Sequence, residues 1–74
     1  MMEDEFQEKL EEIYDFPIDV KFKDFRRYEI FCRSHNFKFC IPILYDAKAT
    51  FETNIHNAVL KIDNEIIRSF KKGR

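Results

Sequence analysis

The feature that most constrains the fold is a tight turn at His35-Asn36, within a stretch of alternating side chains at residues 25–46. Asparagine, and to a lesser degree histidine, tolerates positive φ, which suits a two-residue hairpin loop. Such a loop pairs Cys32 with Phe39 and fixes every other pair, and directly paired residues share a face of the sheet. The predicted inner face holds Tyr28, Ile30, Cys32, Phe39, Ile41 and Ile43, and the predicted outer face holds Arg27, Glu29, Phe31, Arg33, Lys38, Cys40, Pro42 and Leu44.

A third strand precedes this hairpin. Residues 18–23 alternate between apolar and charged side chains, and a short turn at residues 23–25 follows. Pairing Phe22 with Arg26 matches the faces, so Val20 is expected to meet Tyr28. The predicted sheet is therefore a three-stranded meander with the second strand in the centre.

Two segments with helical periodicity flank the strands. Residues 3–14 form a narrow apolar stripe that ends before Pro17, because the residue preceding a proline is disfavoured in the helical region. Residues 51–72 form a second helix with Thr50 as its N-cap, or with Asp46 as the cap one turn earlier. On that helix Leu60 and Ile67 lie opposite the apolar stripe and are expected to contact the first helix or a second subunit. The two stripes are Phe6, Leu10, Ile13 and Tyr14 in the first helix and Phe51, Ile55, Ala58, Val59, Ile62, Ile66 and Phe70 in the second.

These elements predict one small α+β domain over residues 1–74, in the order α-β-β-β-α, with a three-stranded antiparallel meander and both helices packed on one face. The outer face is then uncovered. No apolar run approaches the roughly 20 residues of a membrane span, and the acidic amino terminus differs from a signal peptide. The two cysteines fall on opposite sheet faces and cannot bridge, so we expect a reducing, cytoplasmic location.

The residue composition argues against several kinds of chemistry. Gly73 is the only glycine, whereas phosphate-binding loops and nucleophile elbows need glycine where the backbone approaches a ligand. The two cysteines and two histidines could form a zinc-binding set, namely Cys32, His35, Cys40 and His56. The predicted register separates the two cysteines, so no metal or cofactor is expected. Ser34 beside His35 lacks a third group to orient the imidazole, so no catalytic residue is assigned.

Asp19 and Glu29 are the remaining alternative for an enzyme, because the predicted register makes them cross-strand neighbours. A carboxylate pair can act as a general acid and base or hold a cation. Each also has a diagonal base, Arg27 for Asp19 and Lys21 for Glu29. A solvated lattice of ion pairs is therefore the favoured interpretation.

The outer face is the predicted binding surface, because its apolar strip is bordered by basic side chains, as at protein interfaces. The predicted protein-binding residues are Phe31, Arg27, Arg33, Lys38, Cys40, Leu44, Leu60 and Ile67. An open sheet of this kind can also bind single-stranded nucleic acid, by stacking bases and neutralising phosphates. That alternative uses Lys21, Arg27, Phe31, Arg33 and Lys38. Phe31 is the only stacking ring and the two acids interrupt the positive field, so protein binding is favoured.

Charge is unevenly distributed along the chain. The first 15 residues hold seven acidic residues and one basic residue, whereas the remainder has a net charge of +5. This fits an acidic helix solvated on its outer face, or a nucleic-acid-binding body with an acidic arm.

The order of elements is similar to that of the double-stranded-RNA-binding domain. That family carries a lysine-rich run entering its second helix. Residues 46–50 of this chain contain one lysine, Lys48, so the resemblance does not imply RNA binding here.

We therefore predict a non-enzymatic, cytoplasmic protein-interaction module without cofactors. Its size fits a small regulator or inhibitor of the kind that viruses and mobile elements encode. It would bind a protein partner, or associate as a homodimer, through the open sheet face. The acidic first helix offers a second contact surface toward a basic partner.

Overall fold

The computed structural model describes residues 2–72 and confirms the predicted α+β architecture. The elements are α1 (Met2–Ile13), β1 (Ile18–Phe22), β2 (Arg27–Arg33), β3 (Lys38–Leu44) and α2 (Phe51–Lys72). The strands form an antiparallel sheet in the order β1-β2-β3. Both helices cover the inner face, where the buried apolar side chains are Phe6, Leu10, Ile18, Val20, Tyr28, Ile30, Cys32, Ile41, Ile43, Ile55, Ala58 and Ile62. No helix in the described part of the chain is long and apolar enough to cross a membrane.

The β2–β3 hairpin has the predicted register. Cys32 lies opposite Phe39, and the Ser34 N–H donates to the Phe37 carbonyl at 2.9 Å, which closes a two-residue turn. The turn backbone differs from the prediction, since none of residues 2–72 has a positive φ. The Asn36 N–H instead donates to Ser34 Oγ at 3.1 Å, so the serine hydroxyl stabilises the turn locally.

The predicted β1–β2 register is wrong by two residues. Phe22 lies opposite Tyr28 rather than Arg26, and Val20 opposite Ile30. The cause is Asp24, whose carboxylate accepts hydrogen bonds from the backbone N–H groups of Arg26 and Arg27 at 2.8 and 2.9 Å and so lengthens the turn. Because side chains alternate with a period of two, this shift preserves the assignment of faces.

Helix α1 covers the free edge of β1. The Val20 N–H donates to Gln7 Oε1 at 3.0 Å and the Phe22 N–H donates to Glu3 Oε2 at 2.7 Å. Phe6 fixes the helix to the sheet, and its ring lies 5.0 Å from that of Tyr28, edge to face. Two outward backbone donors of this edge strand, those of Val20 and Phe22, therefore have partners within the chain.

Helix α2 begins at the predicted cap, where the Thr53 N–H donates to Thr50 Oγ1 at 3.0 Å. A buried polar side chain, which the apolar periodicity did not predict, follows one residue later. Asn54 is 1% exposed, and its Nδ2 donates to the carbonyls of Asp46 and Thr50 at 3.0 and 2.9 Å. Its Oδ1 accepts from the Asp46 N–H at 2.9 Å. This one side chain therefore fixes the connection from β3 into α2.

The two predicted helix stripes are buried or half-buried except at their C-terminal ends. Ile13 of α1 and Phe70 of α2 are 48% and 54% exposed. Phe70 still meets the ring of Phe37 edge to face, at 6.5 Å between centroids. Tyr14, just after α1, donates from its hydroxyl to Asp63 Oδ1 at 2.6 Å and so ties the helices together. Burial and this bond raise the pKa of Tyr14.

Candidate protein-binding surface

The outer face of the sheet is uncovered in the monomer. Arg33, Lys38, Cys40 and Leu44 are exposed, whereas Phe31 is half-buried. Phe31 lies between Asp19 and Cys40 in the register and lines a shallow depression with them, Lys21 and Glu29. It faces away from the helices as predicted.

The most exposed apolar side chains lie in the β1–β2 turn, at the end of β3 and on α2. Phe25 is 79% exposed and Leu44 is 63% exposed, and together they line a depression at the β1–β2 turn. Leu44 also adjoins Pro42 and Leu60 in a groove between β3 and α2. Ile67, 55% exposed, follows Leu60 two turns later on the same helix face. We call this surface, formed by Phe25, Pro42, Leu44, Leu60 and Ile67, the open side.

Sequence reasoning missed Phe25 because it assigned that residue only to a turn. A signal was present. Phe25 is a large aromatic side chain among charged residues 23–27, and no apolar residue lies two positions away to continue an alternating face. Asp24 fixes the turn that presents it, because its carboxylate accepts hydrogen bonds from the N–H groups of Arg26 and Arg27. The same bonds lower the pKa of Asp24 to about 2. Phe25 is therefore held on an ordered turn.

The basic residues of the outer face divide into paired and unpaired groups. Arg27 donates from Nε to Asp24 Oδ2 at 2.9 Å, and Lys23 lies 3.5 Å from Glu29. Arg33 and Lys38 lie directly opposite each other, and neither takes part in an ion pair within residues 2–72. Like charges placed opposite across two strands repel, so this end of the sheet favours an anionic neighbour.

The alternative site at a directly paired Asp19 and Glu29 does not form. The two-residue shift places Asp19 opposite Phe31 and Glu29 opposite Lys21, so the acids are not directly paired. Arg27 contacts Asp24 rather than Asp19, which also removes the predicted diagonal ion pair. Glu29 instead lies between two lysines, as part of a solvated group of charges.

The two cysteines occupy opposite faces, as the hairpin register predicted. Cys32 is fully buried, and burial raises the pKa of its thiol to about 12. Cys40 is exposed, and partial desolvation and the charge of Glu29 raise its pKa. Both thiols are therefore protonated at neutral pH. Within the described residues, no three side chains with metal-binding groups converge on one point.

Helix α1 presents the acidic surface. Its acids other than Glu3, which bonds to β1, are exposed, and its only base, Lys9, lies 3.6 Å from Glu12. Because α1 covers β1 and the open side lies by β3, the acidic and apolar surfaces are on opposite flanks of the sheet.

The chain was also compared with known proteins. No protein-family model, no curated protein and no solved structure matches it significantly.

Proposed function

We propose that this chain is a non-enzymatic protein-interaction module that binds a protein partner through the open side and the adjoining outer face. The observation that supports the proposal is the concentration of exposed apolar side chains at ordered positions. Leu44 lies on a strand and Leu60 on a helix, yet both keep half or more of their surface exposed. Contiguous apolar surface bordered by charge is typical of protein interfaces.

The outer-face residues would surround this apolar centre. Phe31 and Cys40 extend it along the sheet, and Arg27, Arg33 and Lys38 supply a polar border that excludes water and sets orientation. Ile67 extends it along α2. Such a surface suits a regulator or inhibitor that blocks or bridges its partner, including one encoded by a virus or mobile element.

Capture of the partner tests this function. The full chain carrying an affinity tag is used to purify partners from the native host, which are quantified by mass spectrometry. Leu44→Asp should abolish capture of the partner while leaving the circular dichroism spectrum unchanged. The matched control is Ile13→Asp, which places the same charge at a comparably exposed apolar residue of α1. Equal capture by Leu44→Asp and the parent chain would refute the proposal.

Two further variants define the extent of the surface. Phe31→Asp tests the outer face and Leu60→Asp tests the groove beside α2. Light scattering on the parent chain shows whether the partner is a second copy, as a homodimer would require. A monomer at all concentrations would leave a different protein as the partner.

The pair Arg33 and Lys38 supports a second candidate, a small single-stranded nucleic-acid-binding protein. Their unpaired charges lie next to Phe31 in the register and could contact phosphates while the ring stacks on a base. Lys21 and Arg27 would complete that site. Fluorescence anisotropy with a labelled single-stranded oligonucleotide tests it, since phosphate contacts give an affinity that falls steeply with salt. No binding at low salt would eliminate this candidate.

A further inference from the structure

We infer that the open side accepts an acidic amphipathic helix of a partner protein. This inference rests on the proposed function and adds the chemical character of the partner. It depends on three features, namely the shape of the groove between β3 and α2, the charges around it and the position of Pro42.

The groove supplies the apolar contacts. Pro42, Leu44 and Leu60 line it, and Asn57 and Asn64 of α2 form its polar border. An amphipathic helix binds such a groove through apolar side chains spaced three, four and seven residues apart. The exposed stripe of Leu60 and Ile67 has the same spacing, so two helices can pack side by side along it.

The charges around the groove select an acidic partner. Lys61 lines the groove itself, and Arg26 and Lys48 line the adjoining depression beside Leu44. None of these three bases takes part in an ion pair within the described part of the chain. The one acid that lines these depressions is Asp46, and its carboxylate accepts the Lys48 N–H at 3.0 Å. The surface is therefore net positive as well as apolar.

Pro42 argues against a partner that adds a strand to β3. The bonds from Ser34 N–H to Phe37 and from Tyr45 N–H to Arg26 fix the phase of the ladder. In that phase the backbone groups of even-numbered residues in β3 point away from β2. Pro42 is one of them and has no N–H, so a fourth strand would meet the proline ring halfway along the edge.

The charge distribution also argues against a second copy of this chain. A two-fold symmetric pair brings the same surface of both copies together. Lys61 and Lys48 would then face bases of the other copy, whereas the acids of α1 lie on the opposite flank. A different, acidic protein satisfies these charges.

Two synthetic peptides of identical leucine, alanine and glutamate composition test the inference. One peptide places its leucines on one helical face, and the other has a scrambled order. We expect the amphipathic peptide alone to bind the full chain, to shift the amide resonances of Ile43, Leu44 and Lys61, and to dissociate as salt is added. Lys61→Glu should weaken its binding roughly tenfold, as expected for loss of one close charge pair and introduction of repulsion. The control Lys9→Glu reverses a charge on α1 and should leave the affinity unchanged.

Absence of binding by the amphipathic peptide at low salt would overturn the inference. Equal affinity of the scrambled peptide, or resonance shifts centred on Phe31, would do the same. A concentration-dependent dimer mass in light scattering would assign the groove to a second copy instead. If the captured partner depends on Leu44 but is insensitive to Lys61→Glu and to salt, the proposed function stands and only the acidic-helix inference fails.

Discussion

The two edge strands of the sheet differ in what their outward backbone groups contact. At the β1 edge, Gln7 and Glu3 of α1 accept hydrogen bonds from the outward N–H groups of Val20 and Phe22. At the β3 edge, no side chain within residues 2–72 bonds to the outward backbone groups of the strand, and Pro42 lacks an N–H. At the first edge the outward N–H groups of Val20 and Phe22 bond within the chain, whereas the second edge resists strand pairing but leaves its side chains free for contact.

This difference separates the stabilising contacts from the proposed binding surface. The β1 flank holds the aromatic contacts of Phe6 and the polar bonds of α1, and its surface is acidic. The β3 flank exposes Leu44 and Leu60 without covering them. We therefore expect substitutions on the β1 flank to destabilise the fold and equivalent substitutions on the open side to affect binding alone.

The largest expected difference is between Phe6→Ala and Leu44→Ala. Phe6 is fully buried, and its ring contacts those of Tyr28 and Phe51 with centroid separations of 5.0 and 5.8 Å. Its removal should lower the free energy of unfolding by about 3–5 kcal/mol. Leu44→Ala should change it by less than about 0.5 kcal/mol. Urea denaturation of both variants measures this, and similar losses would contradict the division between the two flanks.

Asn54 provides the next test, because its buried amide holds the connection from β3 into α2 through hydrogen bonds. Asn54→Ala removes three hydrogen bonds around Asp46 and Thr50 and should cost about 1–3 kcal/mol of unfolding free energy. The matched control is Asn57→Ala, an exposed asparagine one turn later on the same helix. Equal stabilities of these two variants in urea denaturation would show that the connection into α2 needs no such tie.

A smaller effect is expected from Gln7→Ala, which removes the acceptor for the Val20 N–H. The loss should be about 1 kcal/mol, the net contribution of one hydrogen bond. Hydrogen exchange followed by NMR should show a protected Val20 amide in the parent chain, faster exchange in the variant, and fast exchange of the Leu44 amide in both. Glu8→Ala, at an exposed neighbour, is the control. Equal protection of Val20 and Leu44 in the parent chain would remove the distinction between the edges.

The smallest expected effect is the loss of stability at low pH in the turn that carries Phe25. The hydrogen bonds to Asp24 lower its pKa from 3.8 to about 2 in the folded protein. A lowered pKa means that the stabilisation is fully present above pH 3.8 and is lost as the pH falls through about 2. NMR titration of the Asp24 carboxyl carbon measures this. Asp24→Asn keeps the oxygen acceptor and should abolish the pH dependence of the Arg27 amide shift, whereas a titration near 3.8 in the parent would contradict the turn geometry.

The hairpin could be predicted from sequence because one turn position fixes all pairs of β2 and β3. The β1–β2 register could not, because the preference for alternating faces is satisfied equally well by registers two residues apart. The choice between them came from the hydrogen bonds of Asp24. Alternation alone also cannot show that a turn residue such as Phe25 is exposed, or that Glu3 and Gln7 bond to a strand edge. These contacts depend on how the elements pack, which periodicity does not encode.

The separation of the two cysteines offers a practical way to label the outer face at one position. Cys40 is accessible beside Phe31, whereas Cys32 is enclosed in the core. A maleimide dye at mildly alkaline pH should therefore attach at a single position of the native chain, and a second equivalent should react only after denaturation. Such a conjugate would carry its fluorophore beside Phe31, so a change in emission on binding would indicate contact with the outer face, and no change would be expected from a partner confined to the groove beside α2.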